Sequence, residues 1–302
     1  LGQTPKRKTP RAAAPEFRQA DFDGVFFKDV GKQLVGPRPS PASTKAAIAN
    51  DSRDTKIADP ADPESNATPS QGKSWSARIQ PASLEDLIKA AKRRLDGIVT
   101  TPAKFAGGGF KDARREFTLV TLLLGVIEQH DGQVRWKQSA KVGRARFARA
   151  AAGAKVGSSQ AYSEAKLRLQ DLSDLLNGTP WNASSGTDPL EWSDALDHGP
   201  LMQLLEFALR ENLTRATSTS QNLSESAEEA IQYAELIAAI GYVLGEPQMP
   251  NADDAEYTKW SRQMMEQAMA AAKAIRNQQP DEAKKQTGLI DQSCNQCHNA
   301  FR

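Results

Sequence analysis

From residue 75 onward, apolar positions recur at intervals of three and four. Leu84, Leu87, Ile88, Ala91 and Leu95 fall on one helical face, and Leu201, Leu204, Leu205, Ala208 and Leu209 fall on another. The same stretch is rich in Ala, Leu, Glu, Gln, Lys and Arg, which keep rotamer freedom in a helix, and poor in β-branched runs. The pattern predicts helices over about 83–98, 110–130, 134–153 and 159–177, then over about 200–215, 222–245, 253–278 and 281–300. Gly178, Gly245 and the 247–250 segment with its two prolines act as stops. Gly107-Gly108-Gly109 lacks the strand and spacing of a phosphate loop and reads as a turn between helices. With no strand pattern, the fold class expected is all-α.

Eight helices in two runs of four prompt a search for a repeat. At an offset of 117, Trp75-Ser76 falls on Trp192-Ser193, Leu84 on Leu201, Leu87 on Leu204, Ala91 on Ala208 and Arg93 on Arg210. The same offset pairs Ala113 with Ala230, Leu119 with Leu236 and Val120 with Ile237. Beyond about residue 130 the offset becomes 124 and places Trp136 on Trp260, the extra residues falling in the loop around Glu246-Pro247. The chain has only 5 Trp, so matches at both ends outweigh the aliphatic ones. The expected architecture is two tandem antiparallel four-helix bundles, 75–180 and 190–302, each burying an inward apolar stripe.

Residues 1–74 follow another pattern. They hold 9 of the 17 prolines with Ser, Ala, Asp and Asn clusters and no period, and read as an extended Pro-rich segment. One apolar island, Phe17, Phe22, Val25, Phe26, Phe27, Val30 and Leu34, is expected to dock on a domain or bind a partner.

Charge and length narrow the function classes. The 302 residues carry a net charge of +2, against a nucleic-acid binder dominated by phosphate neutralisation, and no apolar run is long enough to cross a membrane. The balance conceals an asymmetry: +4 over residues 1–80, +6 over 81–190 and −8 over 191–302. A basic middle and an acidic end fit two modules whose fields attract.

The chemistry lies at the end of the chain. Both cysteines fall in Cys294-Asn295-Gln296-Cys297-His298, the C-x-x-C-H attachment sequence of c-type haem. Two thiols one helical turn apart can each add to a haem vinyl group, and the adjacent imidazole then becomes the proximal iron ligand. Three other readings compete. Zinc needs four ligands, and His130 and His198 lack a partnering cysteine pair. A dithiol redox pair belongs at a helix start after a strand. Two incidental thiols are the third.

Set on the last predicted helix and followed by Phe301-Arg302, the motif resembles the ending of cytochrome c′ and its low-spin relatives, C-x-x-C-H-x-x-[Tyr/Phe]-[Arg/Lys]. The resemblance covers about residues 192–302, with a specific ending and otherwise generic helix. It implies that Cys294 and Cys297 hold one haem c covalently, that His298 is the axial ligand and that Arg302 lies near the haem edge. At offset 124, Cys294, Cys297 and His298 fall on Gln170, Ser173 and Asp174, so the first copy resembles such a bundle without haem. Because the family commonly pairs bundles, the two copies are expected to form an intrachain pseudo-dimer.

In the family the far side of the iron faces the bundle's first helix. Here that stretch is His198-Gly199-Pro200-Leu201-Met202. Met202 is the first candidate sixth ligand and His198 the second, with an open site or ordinary core packing by Met202 as the other outcomes. A filled site suits an electron carrier working with redox partner proteins. An open one suits a protein binding NO, CO or a similar gas. A peroxidase-like enzyme would need distal acid–base groups that only His198 and its acidic neighbours could supply, so no enzyme is expected. Haem attachment to C-x-x-C-H takes place outside the bacterial cytoplasmic membrane, which makes the expected location the periplasm after signal-peptide cleavage. The N-terminal 74 residues would then serve as a spacer.

Overall fold

The structure, a computed structural model, describes residues 74–181 and 190–301, all of them within one compact unit, 66–302. A second unit, 1–65, lies outside the described residues, as do the apolar island at 17–34, the Pro-rich segment and Arg302.

Eight main helices follow the apolar period: α1 (Pro81–Ile98), α2 (Phe110–Gln129), α3 (Lys137–Gly153), α4 (Ser159–Leu176), α5 (His198–Glu206), α6 (Ser220–Leu244), α7 (Ala255–Arg276) and α8 (Pro280–Phe301). No strand occurs among the described residues. Local chemistry sets the ends. Pro81 opens α1, where a missing N–H costs nothing. Ser158 accepts from Ala161 N at α4, Thr219 from Asn222 N at α6, and Asp254 from Glu256 N and Tyr257 N at α7.

Two stretches depart from the simple pattern. The Gly107–Gly109 region is not an open turn: a short helix, Pro102–Lys104, runs into π-helical turns over Phe105–Gly109 and then into α2. Gly108 has φ 137, a conformation side chains other than glycine's rarely adopt. Likewise α5 widens into π-helical turns over Phe207–Leu213 before Thr214–Ala216 resume the α form. The widening accompanies Phe207 turned toward two arginines of the first half, Arg115 (4.4 Å from the ring centroid) and Arg94 (5.3 Å).

Helices α2 and α6 are the central ones, buried on nearly every side from Phe117 to Ile127 and from Tyr233 to Ile240. Each packs along the next helix, α3 and α7 respectively, and against the first helix of its own half and that of the other half. At offset 117 the span 110–129 becomes 227–246, close to α6, and at 124 the span 159–176 becomes 283–300, inside α8. The repeat-related Trp75 and Trp192 are both buried, and their rings touch each other, centroids 6.1 Å apart. Trp192 also lies against Gly125, where an added Cβ would come within 2.6 Å of its ring. Only glycine permits that approach.

The seam between the halves joins first-half cations to second-half acids and rings. Arg114 and Lys155 pair with Asp197 at 2.6 and 3.4 Å, Arg144 lies over Trp192 at 4.2 Å, and Arg78 lies over Tyr242 at 4.1 Å. Arg144, within the basic 137–149 helix, is thus a buried seam residue.

Candidate functional site

Helix α8 carries Cys294, Cys297 and His298, three and four residues apart and so on one face. Both cysteines are free thiols, half-buried and packed against the core, whereas His298 is exposed. The Cys294 thiol meets Met264 Sδ of α7 at 4.0 Å. Next to it, Ser293 Oγ donates to Gln267 Oε1 at 2.9 Å, and about one turn earlier Asp291 pairs with Arg210 from the widened part of α5. The facing helix α7 thus fixes the rotation of α8, keeping the sulfurs inward.

At the far end of the same interface stands Tyr257, 3% exposed in the first turn of α7. Its ring meets Phe301 edge-on, centroids 5.5 Å apart, and its hydroxyl lies 3.5 Å from Nε2 of His198. His198 is the first residue of α5 and is half-buried. Three helix ends therefore meet: the start of α5, the start of α7 and the end of α8.

Burial sets the electrostatics here. It pushes the Cys294 thiol up to about 11, with Asp291 adding to the effect and Arg210 opposing it. Burial also raises Cys297 above its ordinary value. Tyr257 is pushed up to about 12, first by burial and then by the charge Cys297 would carry. His198 is lowered, by burial and then by the charge of His298, a shift that favours its neutral ring. Protonated thiols near the C-terminal end of a helix are the reverse of a reactive dithiol, whose thiolate is stabilised at a helix start. Among the described residues no three His, Cys, Asp or Glu side chains converge as metal ligands.

The other sequence candidates separate clearly. Met202, one turn along α5 from His198, is half-buried against the core. His130 is a core histidine with both nitrogens engaged: Nδ1 accepts from Gly132 N at 2.9 Å, so Nε2 donates to Ile79 O at 3.2 Å. On α4, Gln170 donates to Asp174 at 2.8 Å and Ser173 to Leu169 O at 3.1 Å, and the three positions matching the motif carry no thiol or imidazole. Two surface cavities, of about 220 and 640 Å³, lie around the first half of α6 and are lined by none of these residues.

Tyr257 and Met264 escaped the sequence reading. They stand seven residues apart on one face of α7, a spacing that the sequence displays but that chance supplies as readily. No family model, curated protein or solved structure matches the chain.

Tested against haem c, the donor set fits. Two unpaired thiols face inward one turn apart, an imidazole follows at the next position, and a thioether and a tyrosine ring stand opposite on α7. Cys294 and Cys297 would hold the porphyrin through thioethers, and His298 would bind the iron.

Proposed function

We propose that the chain is a mono-haem c-type cytochrome that carries single electrons between redox partner proteins in the bacterial periplasm. The observation that carries this reading is the C-x-x-C-H of α8 with both thiols half-buried against the core and Cys294 beside Met264. A bound haem would supply one-electron chemistry at its iron. The chain's own groups do the rest. Cys294 and Cys297 anchor the group so that a small helical pocket retains it, and His298 supplies the proximal nitrogen. Met264 and Tyr257, both buried, would keep water from the inner side. Residues at the start of α5 would face a bound haem from the other side, and among them His198 has a polar contact with Tyr257.

The same reading takes the molecule as two tandem four-helix bundles forming an intrachain pseudo-dimer, with the first copy free of haem. The Trp75–Trp192 contact supports this, because residues related by a two-fold axis and lying close to it touch their own equivalents. The complementary charges along the seam support it as well.

Intact mass and alkaline pyridine spectra of protein from a host with a haem-attachment system test the proposal. One covalent haem per chain is expected, with none on the Cys294→Ser/Cys297→Ser chain. A wild-type chain with no porphyrin mass would overturn it, and two haems per chain would overturn the assignment of a haem-free first copy.

A further inference from the structure

The Tyr257 hydroxyl stands 3.5 Å from Nε2 of His198, and no family pattern placed a tyrosine there. Tyr257 is itself almost fully buried, its ring wedged against Phe301, three residues beyond His298. Its hydroxyl therefore has little access to water. The hydroxyl and Nε2 are partners by default, since a buried hydroxyl left without one is costly.

We propose that Tyr257 is a positioning residue for the sixth coordination site: it provides an alternative partner for His198 Nε2, so that His198, and not Met202, is the internal ligand that an incoming small molecule displaces. This rests on the cytochrome reading above.

The argument is one of valence. A neutral imidazole has a single lone pair, and that pair can serve the metal or the tyrosine O–H, but not both. When His198 is on the iron, the Tyr257 hydroxyl loses its acceptor. When a neutral diatomic such as CO occupies the iron, His198 swings back and accepts from Tyr257 again. No bond other than the iron–nitrogen contact and this hydrogen bond changes, and no electron or proton leaves the pair. Tyr257 thus stabilises the displaced state by the worth of one hydrogen bond, an equilibrium factor of about five. Met202 offers nothing comparable, since its thioether packs against the core.

The test uses reduced holoprotein carrying its covalent haem, titrated with CO, together with optical and paramagnetic resonance spectra of the oxidised form. Wild type should be low-spin with two nitrogen ligands and without the sulfur-to-iron band of Met ligation. His198→Ala, or His198→Phe where Ala impairs folding, should become high-spin and bind CO more tightly, whereas Met202→Leu should leave the spectrum unchanged. Tyr257→Phe keeps the ring and its packing on Phe301. It should stay low-spin and bind CO about fivefold more weakly, with helicity and melting temperature as in wild type. Low-spin iron surviving in the His198 variants, or CO affinity in Tyr257→Phe within about twofold of wild type, would overturn the proposal. A chain without covalent porphyrin would instead overturn the cytochrome reading, so the two failures are distinct.

Discussion

Helices α4 and α8, which an offset of 124 aligns in the sequence, differ in every respect that bears on chemistry. On α8 the inward positions are Cys294 and Cys297, and the helix lies along the length of α7 with a thioether at its side. On α4 the matching positions are Gln170 and Ser173, which bond to their own helix, and α4 meets α3 over a shorter stretch. There Arg146 and Arg168 bridge to Asp171, whose carboxyl is raised by burial despite the two cations. The first half spends its helix face on self-contained polar contacts. The second keeps two thiols unpaired and desolvated. A helix becomes a candidate site through a few side chains and through what the facing helix presents to them.

The largest effect expected from breaking this contrast is all-or-none: Cys294→Ser with Cys297→Ser abolishes covalent haem, whereas Gln170→Ala with Ser173→Ala leaves haem content unchanged, read by intact mass. Next come the two tryptophans that the repeat aligns. Trp75→Ala and Trp192→Ala should each destabilise by about 3–5 kcal/mol in denaturant unfolding. Because the rings touch, the double variant should fall short of the sum by roughly 0.5–1.5 kcal/mol. Full additivity would show that the contact does not couple the halves. Gly125→Ala, which drives a methyl into Trp192, should cost about 1–3 kcal/mol by the same measurement.

The smallest effect is a pH dependence at the seam. Tyr242 is pushed up to about 12 by burial, and then by the bond to Glu246 and its charge. In the unfolded chain it loses its proton near pH 10. Between those values the folded state holds a proton that the unfolded state has released, so stability falls as pH rises from about 10 toward 12. Below pH 10 the contribution is complete. Tyr242→Phe should flatten that alkaline decline, seen as a smaller drop in unfolding midpoint over the same range.

The eight helices were legible because their buried faces are long and strictly periodic. Predicted and observed bounds agree within about two residues at most ends. Two details were not legible. The third helix begins at Lys137 and not near 134, because Trp136 takes a left-handed φ of 68 that no local residue preference demands. The widened turns at 207–213 accompany Phe207 reaching Arg94 and Arg115, contacts made by residues about a hundred positions away.

The candidate site divides along the same line. Cys294, Cys297 and His298 share a face because they share one helix, and helical geometry alone places residues three and four apart together. That His198 and Tyr257 meet at the end of α8, and that Met264 stands against Cys294, depended on how three helices cross. Such crossings are set by the interlocking of whole helix surfaces, in which each residue's position depends on side chains remote from it along the chain.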